Sequence, residues 1–376
     1  MIALQHRTVF ADGISRREKL AGLAATLFLP GIAPMPRLVA IGRRAGCLFG
    51  GAARASVLND PLIPGLLARE CATLTPELEW KWAAIAPVAG RRDWAGADRI
   101  AAFARAHGLR VRGHTLLWHR SIPAWAADEL AHRPDWRLVK DHIQAVVGRY
   151  SRLVGEWDVV NEPIEVGGGD DGLRDSPFLR AFGGEYVARA LHEAHAAAPR
   201  ARLFVNEYDL EYPQHQRRRD ALLALARALV GRGVPLHGIG IQAHLDLAKG
   251  PIDLVGLRAF LKAIAALGLK VSITELDVKE RDYILPAGER DRLVADHVAT
   301  FLAAVLPNVA VGSLTCWGIS DRQSWLSFTD ADRARFPGAW ADGSSPGLNR
   351  GLPYDSDGVA KPMRAAIATA LSRKPA

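Results

Sequence analysis

Short runs of apolar residues recur along the chain between residues 48 and 317. They are five to eight residues long, and most of them are apolar at consecutive positions rather than at alternate ones. Such continuity is typical of strands that are covered on both faces, as in a parallel sheet. We therefore predict eight strands, at residues 48–53, 70–74, 109–116, 157–161, 202–206, 238–243, 270–274 and 313–317.

The segments between these runs carry apolar residues at helical spacing. Apolar side chains recur every three or four positions after Asp93 and after Asp135, and each aspartate is a suitable N-cap. The same spacing returns in residues 254–264 and 293–305. Strand and helix thus alternate eight times, which is typical of one α/β domain with parallel strands. Eight units favour a single closed (β/α)8 TIM barrel over an open sheet, because closure leaves no edge strand.

Composition and charge exclude several classes of protein. The chain has 376 residues, of which 49% are hydrophobic and 23% charged, and its formal net charge is +8. No apolar run reaches the ~18–20 residues of a membrane span, and no basic stripe interleaved with aromatic residues suggests nucleic acid. Cys47, Cys71 and Cys316 lack metal-site spacing, so small buried thiols are favoured over a disulfide or metal site. We expect no metal, no cofactor, no membrane span, no nucleic-acid partner, and a monomer.

The first 40 residues differ from the rest. Arg16 and Arg17 precede a short apolar run at 20–29, and a proline-containing stretch with small residues follows. This order is typical of an export signal, and the paired arginines favour the twin-arginine type. An ordinary N-terminal helix is the alternative. We predict an export signal over residues 1–40, a single folded domain over residues 41–376, and a protein that is periplasmic or secreted.

Polar or aromatic residues stand at the C-terminal end of nearly every predicted strand. In a closed barrel of this type that end is the working face. If these were simply the polar residues of solvated loops, they would be scattered along the chain. Because they recur at the ends of the strands, we predict a polar site on the rim of the barrel. The residues are Glu77, His114, Asn161 with Glu162, Asn206 with Glu207, Gln242 with His244, Glu275 with Asp277, and Trp317.

Two of these residues, Glu162 and Glu275, form a candidate catalytic pair, because the ends of the fourth and seventh strands face each other across a barrel mouth. Carboxylates ~5–5.5 Å apart suit retaining glycoside hydrolysis, and ~6.5–9.5 Å suits inverting hydrolysis. A charge ~5.5 Å away, at an effective dielectric of ~20, opposes ionisation of the second carboxylate by roughly 3 kcal/mol, or about two pKa units. One glutamate would then stay ionised while the other holds a proton. For either glutamate alone, a salt-bridged rim residue is the alternative.

Eight segments, in order, resemble the family-10 glycoside hydrolases, the β-1,4-xylanases. They are TPELEWKW (75–82), VRGHTLLWH (111–119), EWDVVNEPI (156–164), DGLRDSPF (171–178), LFVNEYDLE (203–211), GIGIQAHL (238–245), ITELDV (273–278) and CWGISDRQSWL (316–326). The resemblance covers residues 45 to 370. It implies an endo-1,4-beta-xylanase, with xylan as the polysaccharide partner and retaining hydrolysis through a covalent glycosyl-enzyme intermediate. Two alternatives stay open: the same chemistry on another β-1,4-glycan or on short xylo-oligosaccharides, and a non-catalytic sugar-binding barrel.

The resemblance also implies a role for each matching residue. Glu162 is the implied acid/base and Glu275 the implied nucleophile. Three further residues are implied as catalytic support: Asn161 would donate to the sugar 2-hydroxyl, His244 would bind the nucleophile, and Asp277 would orient His244. The implied substrate-binding residues are Glu77, Lys81, His114, Trp118, Asn206, Tyr208, Gln242, Trp317 and Trp325.

For some of these residues another interpretation stays open. Glu77 and Lys81 could be exposed charges on a helix face, Trp118 could serve core packing, and His244 could be a satisfied core histidine. One position departs from the family pattern E-N-E-M-K-W, because Leu78 stands where asparagine is usual. Leucine neither donates nor accepts a hydrogen bond, so we expect one glycone-side bond to be missing. We also expect residues 329–350 to form a long loop that reshapes the aglycone side.

Overall fold

The fold is known from a computed structural model, which describes residues 35–167, 172–280, 285–308, 310–327 and 349–375. Most of the predicted export signal and nearly all of the predicted loop at 329–350 lie outside these residues. Arg37 begins one compact unit that runs to the C-terminus, and its first helix, Leu38–Arg44, spans the boundary predicted at residue 40. Among the described residues, no helix is both long and apolar enough to cross a membrane.

Parallel strands form a closed barrel at the centre. Their bounds are β1 Leu48–Ala53, β2 Thr73–Pro76, β3 Arg110–Trp118, β4 Val154–Asn161, β5 Arg202–Glu207, β6 Gly238–Ile241, β7 His244–Asp246, β8 Lys270–Lys279 and β9 Val311–Cys316. Strands β1 to β6 pair in order, β6 pairs with β8, β8 with β9, and β9 with β1. The short β7 lies outside this ring and pairs with the end of β8, where His244 stands opposite Asp277. The eight-stranded closed barrel confirms the predicted (β/α)8 TIM fold.

Helices connect the strands. Their bounds are α1 Leu38–Arg44, α2 Ile63–Glu70, α3 Trp82–Ile85, α4 Ala95–Ala106, α5 Ala124–His132, α6 Trp136–Tyr150, α7 Pro177–Phe182, α8 Glu185–Ala197, α9 Gln216–Gly231, α10 Leu254–Ala266, α11 Ala287–Val305 and α12 Pro362–Ser372. Short 3₁₀ turns occupy Ala55–Asn59, Pro213–His215, Leu247–Lys249, Asp321–Gln323 and Trp325–Ser327. The Asp135 side chain accepts from the Arg137 amide and caps α6, as predicted.

Three local predictions need correction. Trp94, and not Asp93, is the N-cap of α4, because the helix begins at Ala95, one residue later than expected; the Asp93 carboxylate still accepts from the Ala95 amide. The apolar run at 70–74 is not one strand: α2 ends at Glu70, and β2 begins at Thr73. Leu293 is 39% exposed and does not belong to the buried face of α11. One residue further is a rotation of ~100° around a helix, so its neighbour Val294 takes the core position.

Large aromatic side chains fill the space beneath the rim. The Trp80 ring stacks on Tyr150 with 4.1 Å between centroids, and Trp157 lies 5.6 Å from Trp80. A Cβ atom on Gly113 would meet the Trp157 ring at 2.1 Å, so β3 needs a glycine at that position. This packing gives β3 and β4 rigid support. Cysteines 47, 71 and 316 are free and buried, as predicted.

Candidate active site

A cavity of about 370 Å³ opens at the C-terminal ends of the strands. It brings together most of the residues that the sequence assigned to a site. The assigned residues that line it are Lys81, His114, Trp118, Asn161, Glu162, Tyr208, Gln242, His244, Glu275, Asp277, Trp317 and Trp325. Glu77 and Asn206 do not line it. Asn206 is instead fully buried and joins cavity residues to one another through its amide.

Glu275, on β8, is held by side chains on three sides. It is only 4% exposed. The Asn206 amide donates to Glu275 Oε1 at 2.7 Å, and His244 Nε2 lies 3.2 Å from Oε2. His114 Nδ1 lies 4.0 Å from Oε1. These contacts hold both carboxylate oxygens in place.

The same surroundings keep Glu275 ionised. Burial alone would raise the pKa of this carboxyl, but His114, His244 and Lys81 lower it by more, so that its pKa lies below the ordinary value. A buried carboxylate that keeps its charge at neutral pH is suited to nucleophilic attack.

His244 links Glu275 to a second carboxylate. Its Nδ1 atom lies 2.8 Å from Asp277 Oδ1, and Trp325 Nε1 donates to the other oxygen of Asp277. Burial would lower the pKa of His244, yet the charge of Asp277 and the hydrogen bonds to Asp277 and Glu275 raise it well above its ordinary value. The imidazolium can therefore donate to both carboxylates. His244 is a rim residue and not an isolated core histidine.

Glu162 follows the last residue of β4 and is held through its backbone. Its φ angle is +57°, in the left-handed region that residues other than glycine rarely adopt. The Glu162 amide donates to the Asn206 carbonyl at 2.8 Å, and Arg174 Nε donates to the Glu162 carbonyl at 2.9 Å. These two bonds fix a conformation that costs about 1–3 kcal/mol on its own.

The Glu162 side chain is half-buried and has longer contacts. Its Oε1 atom lies 3.2 Å from the Asn161 amide nitrogen and 3.3 Å from that of Gln242. Asn161 Oδ1 in turn accepts from Asn206 at 2.8 Å, and Asn206 also donates to Glu275. Hydrogen-bonded amides therefore join the two glutamates, which share one cavity although they are far apart in sequence.

Lys81 forms part of the cavity wall with two tryptophans. Its ammonium lies 4.4 Å from the Trp118 ring centroid and 5.8 Å from that of Trp317. Burial lowers the pKa of Lys81, and Glu275 is the first of the carboxylates that oppose this effect. Lys81 is only 5% exposed, so it is not an exposed charge on a helix face. Trp118 is buried as well, but it lines the cavity.

Glu77 lies just outside the cavity and is also buried, at 3% exposure. Arg54 Nε lies 3.6 Å from its Oε2 atom. Burial raises the pKa of Glu77 to about 7, and Arg54 and Lys81 offset this only in part. Its Oε1 atom has no hydrogen-bond partner among the described residues. Leu78 is buried beside it and does not line the cavity.

Sequence reasoning assigned no role to Arg174, although it lies in one of the matching segments. Its guanidinium donates to the carbonyl of Ile164 at 3.0 Å and to the Tyr208 hydroxyl at 2.8 Å, besides its bond to the Glu162 carbonyl. Glu207 supports the same turn from below, because it accepts from the Ile164 amide at 2.9 Å. The two residues hold the turn that presents Glu162.

A second missed group lies beneath His114. Asp158 is fully buried in β4, and its Oδ2 atom lies 3.1 Å from His114 Nδ1. Arg112 donates to both oxygens of Asp158. Burial would raise the pKa of Asp158, but Arg112 first and His114 second oppose this effect, so that the pKa lies below its ordinary value. A charged residue inside an otherwise apolar strand was the available signal, since such a residue needs a buried partner.

Comparison with known proteins agrees with this geometry. The family model for glycosyl hydrolase family 10 matches residues 38–370. Endo-1,4-beta-xylanase A of Fusarium oxysporum f. sp. lycopersici is 36% identical over 278 residues, covering 72% of this chain and 80% of that protein. Beta-1,4-xylanase of Dictyoglomus thermophilum is 35% identical over 288 residues, covering 73% and 79%.

Solved structures give the same result. The crystal structure of xylanase 10B from Thermotoga petrophila in complex with xylobiose has a TM-score of 0.77 at 28% identity, and covers 90% of this chain and 98% of that one. Native xylanase 10B from Thermotoga maritima has a TM-score of 0.76 at 29% identity, with coverages of 90% and 99%. Because the family model spans most of the chain and relatives exceed 30% identity, this chain belongs to glycosyl hydrolase family 10.

Proposed function

We propose that the protein is an endo-1,4-beta-xylanase that cleaves β-1,4-xylosidic bonds in xylan with retention of configuration. The observation that carries the proposal is the pair Glu162 and Glu275 in one cavity, of which Glu275 is buried, ionised and held on both oxygens. A cavity of about 370 Å³ is within the usual size of small-ligand sites. The relatives named endo-1,4-beta-xylanases support the choice of substrate.

The first step forms a covalent intermediate. A Glu275 oxygen attacks the anomeric carbon while Glu162 donates its proton to the leaving glycosidic oxygen, so the C–O bond to the aglycone breaks as the ester bond forms. In the second step Glu162 takes a proton from water, and the resulting hydroxide displaces Glu275 from the same carbon. Two inversions give a product with retained configuration, and Glu162 is protonated again.

The surrounding residues position these groups. His244 and Asn206 hold Glu275 at the attack position, and Asp277 orients His244. Asn161 would donate to the sugar 2-hydroxyl, as the family resemblance implies, and such a bond can strengthen in the transition state. Trp118 and Trp317 offer flat apolar faces to the C–H face of a pyranose.

Hydrolysis of glucuronoxylan tests this proposal. Wild-type protein is incubated with glucuronoxylan, a mixed β-glucan and carboxymethylcellulose, and reducing ends are counted. The configuration of the first product is followed by proton NMR. We expect release from xylan, a β-anomer as the first product, and none of this with Glu275→Gln. Preferential release from a glucan would support the alternative substrate, an α-anomer would exclude retention, and binding without release from any polymer would support a sugar-binding barrel.

We also propose that residues 1–40 direct export by the twin-arginine route. The support is the pair Arg16 and Arg17 before an apolar run. Fusion of residues 1–40 to a reporter in a bacterium with this route should give periplasmic reporter, and Arg16→Lys with Arg17→Lys should keep it in the cytoplasm. Equal export of both fusions would exclude the twin-arginine type.

A further inference from the structure

The chain turns sharply after β5 and brings three potential metal ligands together. A ligand atom from each of Asp209, Glu211 and His215 lies within 4.8 Å of the other two. His215 ends the 3₁₀ turn Pro213–His215. Asp209 also lines the cavity, so the group lies at its edge, beside Tyr208. The proposed hydrolysis assigns no role to any of the three.

The spacing of Asp209 and His215 is longer than an ordinary hydrogen bond and fits two ligands of a shared ion. Asp209 Oδ2 and His215 Nε2 are 3.5 Å apart. Hydrogen bonds between nitrogen and oxygen are usually about 2.7–3.2 Å long. In a tetrahedral zinc site with bonds of about 2.0–2.2 Å, neighbouring ligand atoms are about 3.3–3.5 Å apart. The observed separation is compatible with two ligands of one ion, but the exposed pair His132 and Asp128 is 3.4 Å apart as well, so the site rests on the third residue, Glu211.

Glu211 supplies an independent reason to expect a cation. Its side chain is fully buried, and its Oε2 atom accepts from the Leu210 amide at 2.9 Å. Its Oε1 atom is buried and has no hydrogen-bond partner among the described residues. Buried carboxylate oxygens are normally paired with a donor or a metal ion. Glu211 thus has one unused buried oxygen, and its carboxylate lies within reach of the two other ligands.

Lys249, Arg218 and Arg219 all place positive charge near His215 and so oppose a cation here. Of the three, Lys249 contacts a proposed ligand directly. Its ammonium lies 2.6 Å from Asp209 Oδ1. The contact uses only that oxygen, and Oδ2 is the one that faces His215. Carboxylates that bind a metal commonly accept a hydrogen bond at the second oxygen, which orients them. Lys249 therefore lowers the affinity for a cation while it holds Asp209 in a ligating orientation.

We propose that Asp209, Glu211 and His215 form a binding site for a divalent transition-metal ion, with zinc as the best match. Two carboxylate oxygens and one imidazole nitrogen suit zinc, and three protein ligands leave one position for water. The ion would cross-link the segment that carries Tyr208 and Asp209 on the cavity wall. Its action would be on that wall and not on either glutamate of the hydrolytic pair.

Zinc titration of protein freed of metal with a chelator tests the site. Binding is measured at pH 7 by competition with a chromophoric zinc indicator. We expect one zinc ion per chain with a Kd in the micromolar range or below, and at least a tenfold weaker Kd for His215→Asn and for Glu211→Gln. Because Glu211 is buried, the thermal unfolding of each variant is recorded without metal to confirm folding. Lys249→Met should bind zinc more tightly than wild type.

A matched control comes from a surface pair that lacks a third ligand. His132 and Asp128 lie 3.4 Å apart and are both exposed. His132→Asn should leave the zinc affinity unchanged. The proposal is overturned if wild type binds zinc only at millimolar concentration, or if His132→Asn weakens binding as much as His215→Asn. The readout is binding alone, so a protein that hydrolyses no xylan could still pass this test.

Discussion

The two glutamates of the cavity are held in opposite ways. Glu275 lies within β8, and its carboxylate is buried and contacted by Asn206 and His244. Glu162 lies just beyond β4 in a left-handed conformation, with its backbone fixed by Asn206 and Arg174 and its carboxylate half-buried. The structure therefore fixes the carboxylate in one case and the backbone in the other.

This difference matches what each group is proposed to do. A nucleophile must be ionised and aimed at one carbon atom, which requires fixed charges and fixed donors. An acid/base must carry a proton to an oxygen and take one from a water molecule in a different position. A side chain with long contacts on a rigid backbone allows both movements. Substitutions at Glu275 and its contacts should therefore affect activity differently from substitutions at Glu162.

The largest effect is expected from removal of the buried carboxylate. Glu275→Ala should lower kcat on xylan by roughly 10⁵-fold or more, since no other group can form the ester. Added azide should then enter the vacated space and attack from the same face as the lost carboxylate, giving an α-glycosyl azide with an activated aryl xyloside. Glu185→Gln is the matched control, because Glu185 forms an exposed ion pair with Arg232. An unchanged rate for Glu275→Ala would contradict the assignment.

Removal of the half-buried carboxylate should have a smaller effect that depends on the substrate. Glu162→Ala should lower kcat/KM on xylan by roughly 10²- to 10⁴-fold, the usual contribution of general acid catalysis. An aryl xyloside with a good leaving group needs no proton for the first step, so its ester should form at a near-normal rate and accumulate. Burst kinetics and mass spectrometry of the trapped protein would detect it. Equal losses on both substrates would argue against an acid role.

Weakening the fixed support of Glu275 should shift its pH dependence. His244→Asn removes a cation and a hydrogen bond that lower the pKa of Glu275, so that pKa should rise. Because Glu275 must be ionised to attack, activity falls as the pH drops through the pKa of Glu275. The variant, in which this pKa is higher, should therefore lose activity at a higher pH than wild type does. At neutral pH kcat/KM should fall roughly 10- to 100-fold, as for one hydrogen bond to a charged group. The pH profile of kcat/KM is measured for both proteins. If its acidic limb lies at the same pH in both, this account of the pKa of Glu275 is contradicted.

The strand positions could be predicted because they depend on local pattern. Runs of consecutive apolar residues indicated the barrel strands. The polar residues at the ends of these runs indicated the rim that carries Glu162 and Glu275. The failures occurred where two elements share one apolar run, as where α2 ends at Glu70 and β2 begins at Thr73. Apolar continuity reports burial, and it does not report where the backbone changes from helix to strand.

The supporting residues were harder to predict because their roles depend on contacts between distant segments. Arg174 holds the Glu162 turn from 12 positions away in the sequence. The side chains of Asp209 and His215 meet because the chain turns sharply after β5. A spacing of residues predicts which side chains share a face, but not which carbonyl or carboxylate a long side chain reaches.

The smallest effect is expected two contacts away from Glu275. Trp325→Phe keeps an aromatic ring on the cavity wall but removes the indole N–H that Asp277 accepts from. Asp277 would still bind His244 with less restraint, so kcat/KM on xylan should fall only about three- to tenfold, the range of one ordinary hydrogen bond. Trp136→Phe is the matched control, since its indole also donates to a carboxylate, Glu193, on the outer helices. If Trp325→Phe raised KM while kcat stayed constant, the indole would serve sugar binding alone; a fall in kcat would show that restraint of Asp277 reaches the nucleophile through His244.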